Sequence, residues 1–337
     1  MRSRATRCFV IAALAALLSV GGSAHAETPP SAWQAAVDPA IKARYALHLD
    51  VSRRLASQGA FDREVAFDAF RRQGLERLRD ELLGAGAEES PDVRLRFDLG
   101  RILVLLDDYP RAARVFEAAL QLAPHHPMAE EALWQLAISY AHGDVERELA
   151  TYERYLALAV RAESRSIAYS NRAEAEMRQG RLEEAIEDAR YAVSLATNID
   201  TAVLAGFDLG VALDRYGDAA GAAQAVKEAV SAARSAPRGL HMILSDGQGV
   251  FYVPDYDKYW YRAMALAELA REETDAVEAL GFWLAAAASW EHFVMLADPA
   301  DRWLSLAVRH RDEARGRSAA ARKAAGSRST AGPSSRD

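Results

Sequence analysis

Side chains that commonly carry chemistry are sparse in this sequence. The single cysteine is Cys8, and the eight histidines include one adjacent pair, His125 and His126, which lies between Pro124 and Pro127. Paired imidazoles are zinc ligands, but a zinc site needs further ligands, and no Cys, Asp or spaced His nearby completes the set. We therefore predict no metal site at this pair.

No arrangement of residues indicates catalysis. Gly247 and Gly249 flank Gln248, yet the stretch lacks the lysine and the following helix that a phosphate-binding loop requires. A nucleophile beside a base, or paired carboxylates in a cleft, cannot be assembled without arbitrary choices among many residues. The sequence predicts that the protein is not an enzyme and has no cofactor.

Aromatic residues concentrate in one segment, from Leu240 to Tyr261. Rigid rings on a loop bury a large area at low entropic cost, so this segment is a candidate binding site. The alternative is that the rings fill a gap in irregular packing. The candidate contact residues are Phe251, Tyr252, Tyr256 and Trp260.

The composition indicates that these residues are positioned by helices. Half of the residues are apolar and 26% are charged, which is typical of a globular protein. Alanine, leucine, arginine and glutamate are abundant, and all four favour helix. The net charge of -7 argues against general nucleic-acid binding. An all-α protein is therefore predicted.

The first 26 residues are typical of a secretory signal peptide. Three arginines precede an apolar run at 9–20, and the Ala24-His25-Ala26 motif then suits cleavage after Ala26. Twelve apolar residues are too few for the roughly 20 that a membrane-spanning helix needs. Cys8 precedes the apolar run, which argues against a lipoprotein. We expect a periplasmic protein with no membrane span after cleavage.

A repeated pattern occupies the middle of the chain. The first clear copy starts near Val93, and a small residue or a large apolar residue recurs there at fixed offsets. Small residues permit two helices to approach closely, large apolar residues fill the space between them, and proline ends the second helix. The positions are Leu99, Gly100, Ala112, Phe116 and Pro124.

Two further copies start near Ser166 and Val203, which are 37 residues apart. The copy at Ser166 has Ala173, Gly180 and Ala185, and the copy at Val203 has Leu209, Gly210, Gly217 and Ala222. Residues 132–159 have helical periodicity without the full pattern and are interpreted as a degenerate repeat.

These copies resemble the tetratricopeptide repeat (TPR), a pair of antiparallel helices of about 34 residues. The resemblance implies a right-handed superhelix, or α-solenoid, of helix pairs with helical caps. We predict an N-terminal helical cap or a degenerate repeat at 27–91 and a repeat array at 92–299. A capping helix at 300–315 and a disordered basic tail at 316–337 would follow.

The last repeat of the array is expected to be split by the aromatic loop at about 240–261. Its first helix is predicted at 259–270 and its second at 282–297, joined by a long connection at 271–281. No segment after the leader is expected to be apolar enough to span a membrane.

In the TPR family the first helix of each pair lines a concave groove that binds peptides. The matching positions here are Arg94, Phe97, Arg101, Ser170, Glu174, Arg178, Phe207, Asp214, Arg215 and Tyr261. The alternative interpretation is that Phe97 and Phe207 pack between helices and that the charged groove residues are simply solvated. Since Phe97, Ser170 and Phe207 stand where a carboxylate clamp has lysine, recognition of a C-terminal carboxylate is not expected.

The resemblance implies a protein-binding scaffold or adaptor, with partners in the bacterial cell envelope. A glycan-binding or cell-wall-fragment-binding solenoid that uses the aromatic loop is the alternative, and a regulatory subunit of an exported enzyme is a third possibility.

Overall fold

The computed structural model describes residues 60–235, 240–244 and 252–330, with side chains at 71–235, 240–244 and 252–325. Within these ranges every regular element is a helix, as predicted, and we number thirteen helices in chain order. The predicted signal peptide, residues 27–59, residues 236–239, residues 245–251 with Phe251, and the last seven residues lie outside the described ranges.

The helices from the start of the described chain to the middle are α1 (Ala60–Gly84), α2 (Val93–Leu105), α3 (Tyr109–Leu122), α4 (Ala129–Ala141), α5 (Val145–Leu158), α6 (Ala162–Gln179) and α7 (Leu182–Leu195). The remaining helices are α8 (Ile199–Tyr216), α9 (Ala219–Ala233), the four-residue α10 (His241–Leu244), α11 (Lys258–Glu272), α12 (Ala276–Leu296) and α13 (Leu304–Thr330). A short 3₁₀ turn at Asp255–Asp257 precedes α11.

The chain divides into two compact units between Thr151 and Tyr152, inside α5. In the N-terminal unit, α2 packs against α1, α3 and α4. Helix α2 begins where the Asp92 side chain accepts a hydrogen bond from the Arg94 amide at 3.0 Å, because the first amides of a helix need such acceptors. A Cβ on Gly100 would lie 2.7 Å from Phe116 Cζ, so only glycine permits the observed approach of α2 to α3.

The C-terminal unit contains the helix pairs α6–α7, α8–α9 and α11–α12, with α13 packed along α12. Gly180 and Gly217 end α6 and α8 in the left-handed region, with φ of 75° and 98°, where side chains with a Cβ are disfavoured. Short turns follow both glycines, so the two helices of each pair are antiparallel. The first helices α6, α8 and α11 also contact one another in that order.

The last helix pair differs from the prediction of a split repeat. Helix α12 begins at Ala276, and only Glu273–Asp275 separate it from α11. The Asp275 carboxylate accepts hydrogen bonds from the amides of Val277 and Glu278, which fixes the helix start six residues before the predicted one. The first helix, predicted at 259–270, is confirmed as α11, so the end of the predicted loop at Tyr259–Tyr261 is helical.

The chain after residue 315 was predicted to be disordered, but α13 continues to Thr330. Ala314 and Ser318 are buried and Ala321 packs against the core, all on one side of this helix. Small residues at these spacings let α13 lie close to α12. The segment has low hydropathy, so its sequence suggested an exposed tail, but the contact with α12 buries one side of the helix.

One helix in the described ranges, α12, is long and apolar enough to span a membrane by length and composition, contrary to our expectation. It also contains Glu278 and Glu291, and it buries Trp283, Trp290 and Phe293 within the C-terminal unit. Core helices with this composition are common in proteins that do not cross a membrane.

Candidate functional site

In the N-terminal unit, the predicted groove residues of α2 occupy different environments. Phe97 is buried, and its ring centroid lies 6.5 Å from that of Phe116 and 5.3 Å from that of His126. Arg101 is half-buried and its Nε lies 3.3 Å from a carboxylate oxygen of Glu131 on α4. Arg94 is also half-buried. The Phe97 ring thus packs between helices, whereas the two arginines reach the surface.

His126 is held by local contacts. Its Nδ1 accepts a hydrogen bond from the Met128 amide at 3.1 Å, and burial, aided by the Arg94 charge, lowers its pKa. Among the residues with described side chains, no group of three His, Cys, Asp or Glu is arranged to hold a metal ion. The ring therefore helps to shape the turn between α3 and α4.

A polar residue of α4 that the sequence did not single out lies beside Phe97 and Arg101. Gln135 is 1% exposed, and neither its Oε1 nor its Nε2 has a hydrogen-bond partner among the described residues. Leaving a buried polar group unpaired costs about 1–3 kcal/mol. The space beside this amide is too narrow for a water-sized group.

In the C-terminal unit, a buried carboxylate connects three first helices. Asp208 of α8 accepts hydrogen bonds from the hydroxyls of Ser170 on α6 and Tyr261 on α11, the latter at 2.8 Å. Burial raises the pKa of Asp208 to about 6, although hydrogen bonds from Ser170, Tyr261 and Glu174 oppose the rise. Three residues predicted for the groove, Ser170, Glu174 and Tyr261, therefore meet around one carboxylate that sequence reasoning missed.

Two more predicted groove residues, Asp214 and Arg215, are buried at the C-terminal end of α8. The Arg215 guanidinium donates to Asp257 at 2.9 Å and lies 4.7 Å from the centroid of the Trp260 ring. Asp214 accepts from Trp260 Nε1 at 3.0 Å. Phe207, on the same helix, is fully buried. The Asp214 and Arg215 contacts join α8 to α11, and Phe207 and Arg215 have little surface left for a partner, whereas Asp214 also lines a cavity that is described below.

The described rings of the aromatic segment pack inward. Tyr252 is 5% exposed, and its ring centroid lies 5.0 Å from that of Tyr261. Tyr256 is half-buried, packs edge-on against Phe293, and donates a hydrogen bond to Asp301 at 2.7 Å. Trp260 is fully buried. The geometry favours the interpretation that these rings fill space within the unit.

Surface exposure selects among the predicted contact residues. Arg94 and Arg101 in the N-terminal unit, and Glu174 and Arg178 in the C-terminal unit, are each half-buried. All four lie on first helices, and part of each residue is open to solvent. They are the predicted groove residues that a partner could reach without local unfolding.

The C-terminal unit also contains a cavity of about 200 Å³ among α8, α9, α11, α12 and α13. Its walls include Trp283 and Trp290 of α12, while Asp214, His310 and Glu313 supply polar atoms. Sequence reasoning missed it, although the seven-residue spacing of the two tryptophans places them on one face of a helix.

Comparisons with known proteins give limited similarity. No model of a known protein family matches the chain, and no curated protein matches it. The similar solved structures include the MamA RS-1 ArsTM double mutant and MamA 41-end from Desulfovibrio magneticus RS-1. Each shares 24% sequence identity over 57% of this chain and 96% of the compared chain, with a TM-score of 0.42. The TPR-like description of the fold therefore rests on the helix pairs and close glycine contacts described above.

Proposed function

We propose that this chain is an exported TPR-like scaffold that binds partner proteins of the bacterial cell envelope. The observation that carries the proposal is the side-by-side arrangement of α6, α8 and α11 around Asp208. Hydrogen bonds between first helices fix their spacing, and a surface of fixed spacing binds a partner with little loss of entropy. No covalent step is involved.

Accessible charges on the first helices support this proposal. Arg94, Arg101 and Arg178 are each half-buried, so part of each residue is open to solvent while the rest is packed against its neighbours. Arginine donates several hydrogen bonds in a fixed plane and is enriched at protein interfaces. Acidic side chains of a partner would match these positions.

Burial of the aromatic rings weighs against the glycan-binding alternative. A sugar stacks on an exposed ring face, whereas Trp260 and Tyr261 are almost completely buried and Tyr252 is nearly so. Trp260 is surrounded by Trp290, Phe293 and Arg215 at centroid distances of 4.9, 5.1 and 4.7 Å. Opening this cluster would cost more packing energy than a single stacked sugar supplies.

Site-specific crosslinking tests the scaffold proposal. A photo-crosslinking amino acid is placed in turn at Arg94, Arg101 and Arg178 in living cells, and the products are identified by mass spectrometry. Arg114 on α3 and Arg190 on α7 are matched controls, because both are exposed arginines of second helices. We expect defined protein adducts at the first-helix positions and few at the controls. Equal adducts at all five positions would remove the first-helix surface from the proposal.

Export has its own test. If the leader functions as proposed, intact mass spectrometry of the protein from a periplasmic extract gives a mature chain that starts at Glu27. A chain that retains its leader and fractionates with the cytoplasm would disprove export without affecting the scaffold proposal.

A further inference from the structure

The cavity of the C-terminal unit arises from unequal side chains on its walls. Helix α9 contributes Ala219, Ala222 and Ala223, whereas α12 contributes Trp283 and Trp290. The alanines are too short to fill the space that the tryptophan rings hold open. Ala219 and Ala223 are exposed, so the cavity of about 200 Å³ opens to solvent on the α9 side.

The aromatic walls are suited to a cation. The Trp283 ring already has the Arg271 guanidinium at 5.7 Å from its centroid, which demonstrates that this ring accepts a positive charge. Trp290 is stacked with His310 at 4.8 Å and is 4% exposed, so its ring is rigidly held. A side chain that enters the cavity meets these rings without having to order them.

Carboxylates supply the opposite charge. Asp214 is 8% exposed, and its Oδ2 receives both Trp260 Nε1 at 3.0 Å and His310 Nε2 at 2.9 Å. Both hydrogen bonds end on the same oxygen, so Oδ1 of Asp214 can still accept a hydrogen bond from a ligand. Glu313 adds a second, exposed carboxylate at the rim, and one of its oxygens also lies 3.5 Å from Arg317 Nη2. Arg271 is neutralised by Glu268, since Arg271 Nη1 lies 3.0 Å from a carboxylate oxygen of Glu268.

The size of the cavity limits the ligand. Pockets for drug-sized molecules usually measure about 300–1,000 Å³. A cavity of about 200 Å³ instead matches one long side chain, which could place its methylene groups between the tryptophans and its charged end near Asp214.

From these observations we propose that the cavity binds a lysine or arginine side chain presented by a partner protein. The proposal rests on the proposed function as a protein-binding scaffold and names a recognition element of the partner. The alkyl stem contacts Met264, Val226 and the tryptophan rings, and the cationic end pairs with Asp214 and Glu313.

Capped amino acids test this proposal directly. The probes are the N-acetyl methylamides of lysine and arginine, and the N-acetyl methylamide of norleucine is the neutral control of similar shape. Binding to the purified protein is followed by NMR of the tryptophan indole signals, assigned with Trp283→Phe and Trp290→Phe. We expect saturable shifts of both indoles with millimolar lysine or arginine probe and at most weak shifts with norleucine. Equal shifts with norleucine would overturn the proposal of a cation site.

Two variant pairs locate the binding. Ala223→Phe should fill the cavity and abolish probe binding, whereas Ala220→Phe changes an exposed alanine of the same helix that does not line the cavity. Glu313→Gln should weaken binding by about two- to fivefold, the range for an exposed charge pair, and Asp312→Asn should leave it unchanged. Retention of binding by Ala223→Phe, with circular dichroism confirming its fold, would place the probe elsewhere and overturn the proposal.

Failure of this inference is distinguishable from failure of the scaffold proposal. If the first-helix positions crosslink a defined partner but the probes do not bind, the scaffold proposal stands and the cavity inference is wrong. If the inference is correct, Ala223→Phe also lowers capture of that crosslinked partner relative to Ala220→Phe.

Discussion

Substitution of Gly210 tests the assignment of α8 and α9 as a closely packed helix pair. A Cβ at this position would lie 2.6 Å from Val226 Cγ2, a distance that real Cβ atoms essentially never show. Val226 is buried and its short side chain cannot move far. We therefore expect Gly210→Ala to force α8 and α9 apart, at an overpacking cost of about 1–3 kcal/mol.

Helix propensity acts in the opposite direction. Replacing glycine by alanine inside a helix stabilises it by about 1 kcal/mol, so the net loss at Gly210 should be about 0–2 kcal/mol. Gly281, in α12 of the same unit, has no atom within 4 Å of an added Cβ. Gly281→Ala should therefore raise the free energy of unfolding by about 1 kcal/mol. The difference between the two variants isolates the packing cost.

The assay is urea unfolding followed by circular dichroism, with thermal melts as a second measure. For a unit of this size, each kcal/mol corresponds to a Tm change of about 2–4 °C. The double variant Gly210→Ala with Val226→Ala should be less destabilised than the two single changes predict together, because the added and removed methyl groups occupy the same space. Equal stability changes in Gly210→Ala and Gly281→Ala would refute the close approach at Gly210.

Three further predictions concern buried charges of the C-terminal unit. Burial raises the pKa of Glu176 from 4.5 to about 8, so the folded state binds the proton more tightly and stability should fall between pH 4.5 and pH 8. Glu176→Gln should flatten this slope and stabilise the protein by about 1–3 kcal/mol at pH 9, as measured by urea unfolding across pH; an unchanged slope would contradict the assignment. Arg215→Ala should cost about 3–5 kcal/mol because it leaves Asp257 buried without its cation, and adding Asp257→Asn should restore part of the loss in thermal melts. Tyr261→Phe removes a donor to Asp208, so an NMR titration should show a pKa for this carboxyl above the value of about 6 in the unmodified protein; a lower value would be inconsistent with the hydrogen bond.

Local patterns in the sequence predicted the helix pairs well. Gly100 and Gly210 stand where two helices approach, and Gly180 and Gly217 end helices in the left-handed region. Such features depend on a few neighbouring residues, because the two helices of a pair are joined by a short turn. The sequence could therefore indicate an all-α protein of repeated helix pairs before any long-range contact was known.

The sequence predicted the start of α12 and the end of α13 less well. Asp275 begins α12 by capping two amides, and a single capping residue is a weak signal within an alanine-rich stretch. Ser318 and Ala321 in α13 are helical because they pack on the rest of the unit, although their own hydropathy suggests a solvated tail. Tertiary contact thus determined where the last helices begin and end.

The candidate sites were decided by contacts between residues far apart in the chain. Arg215 meets Asp257 across 42 positions, and His310 meets Asp214 across 96. No local pattern in the sequence indicates that these charges face each other. The resemblance to TPR proteins placed Asp214 and Arg215 on a groove-lining helix, but it could not show that residues from later helices bury both side chains. The sequence by itself determined the repeated helix pairs, because each pair forms from neighbouring residues. Only the tertiary structure determined which charges stay accessible and where a cavity remains, because both depend on how successive pairs pack.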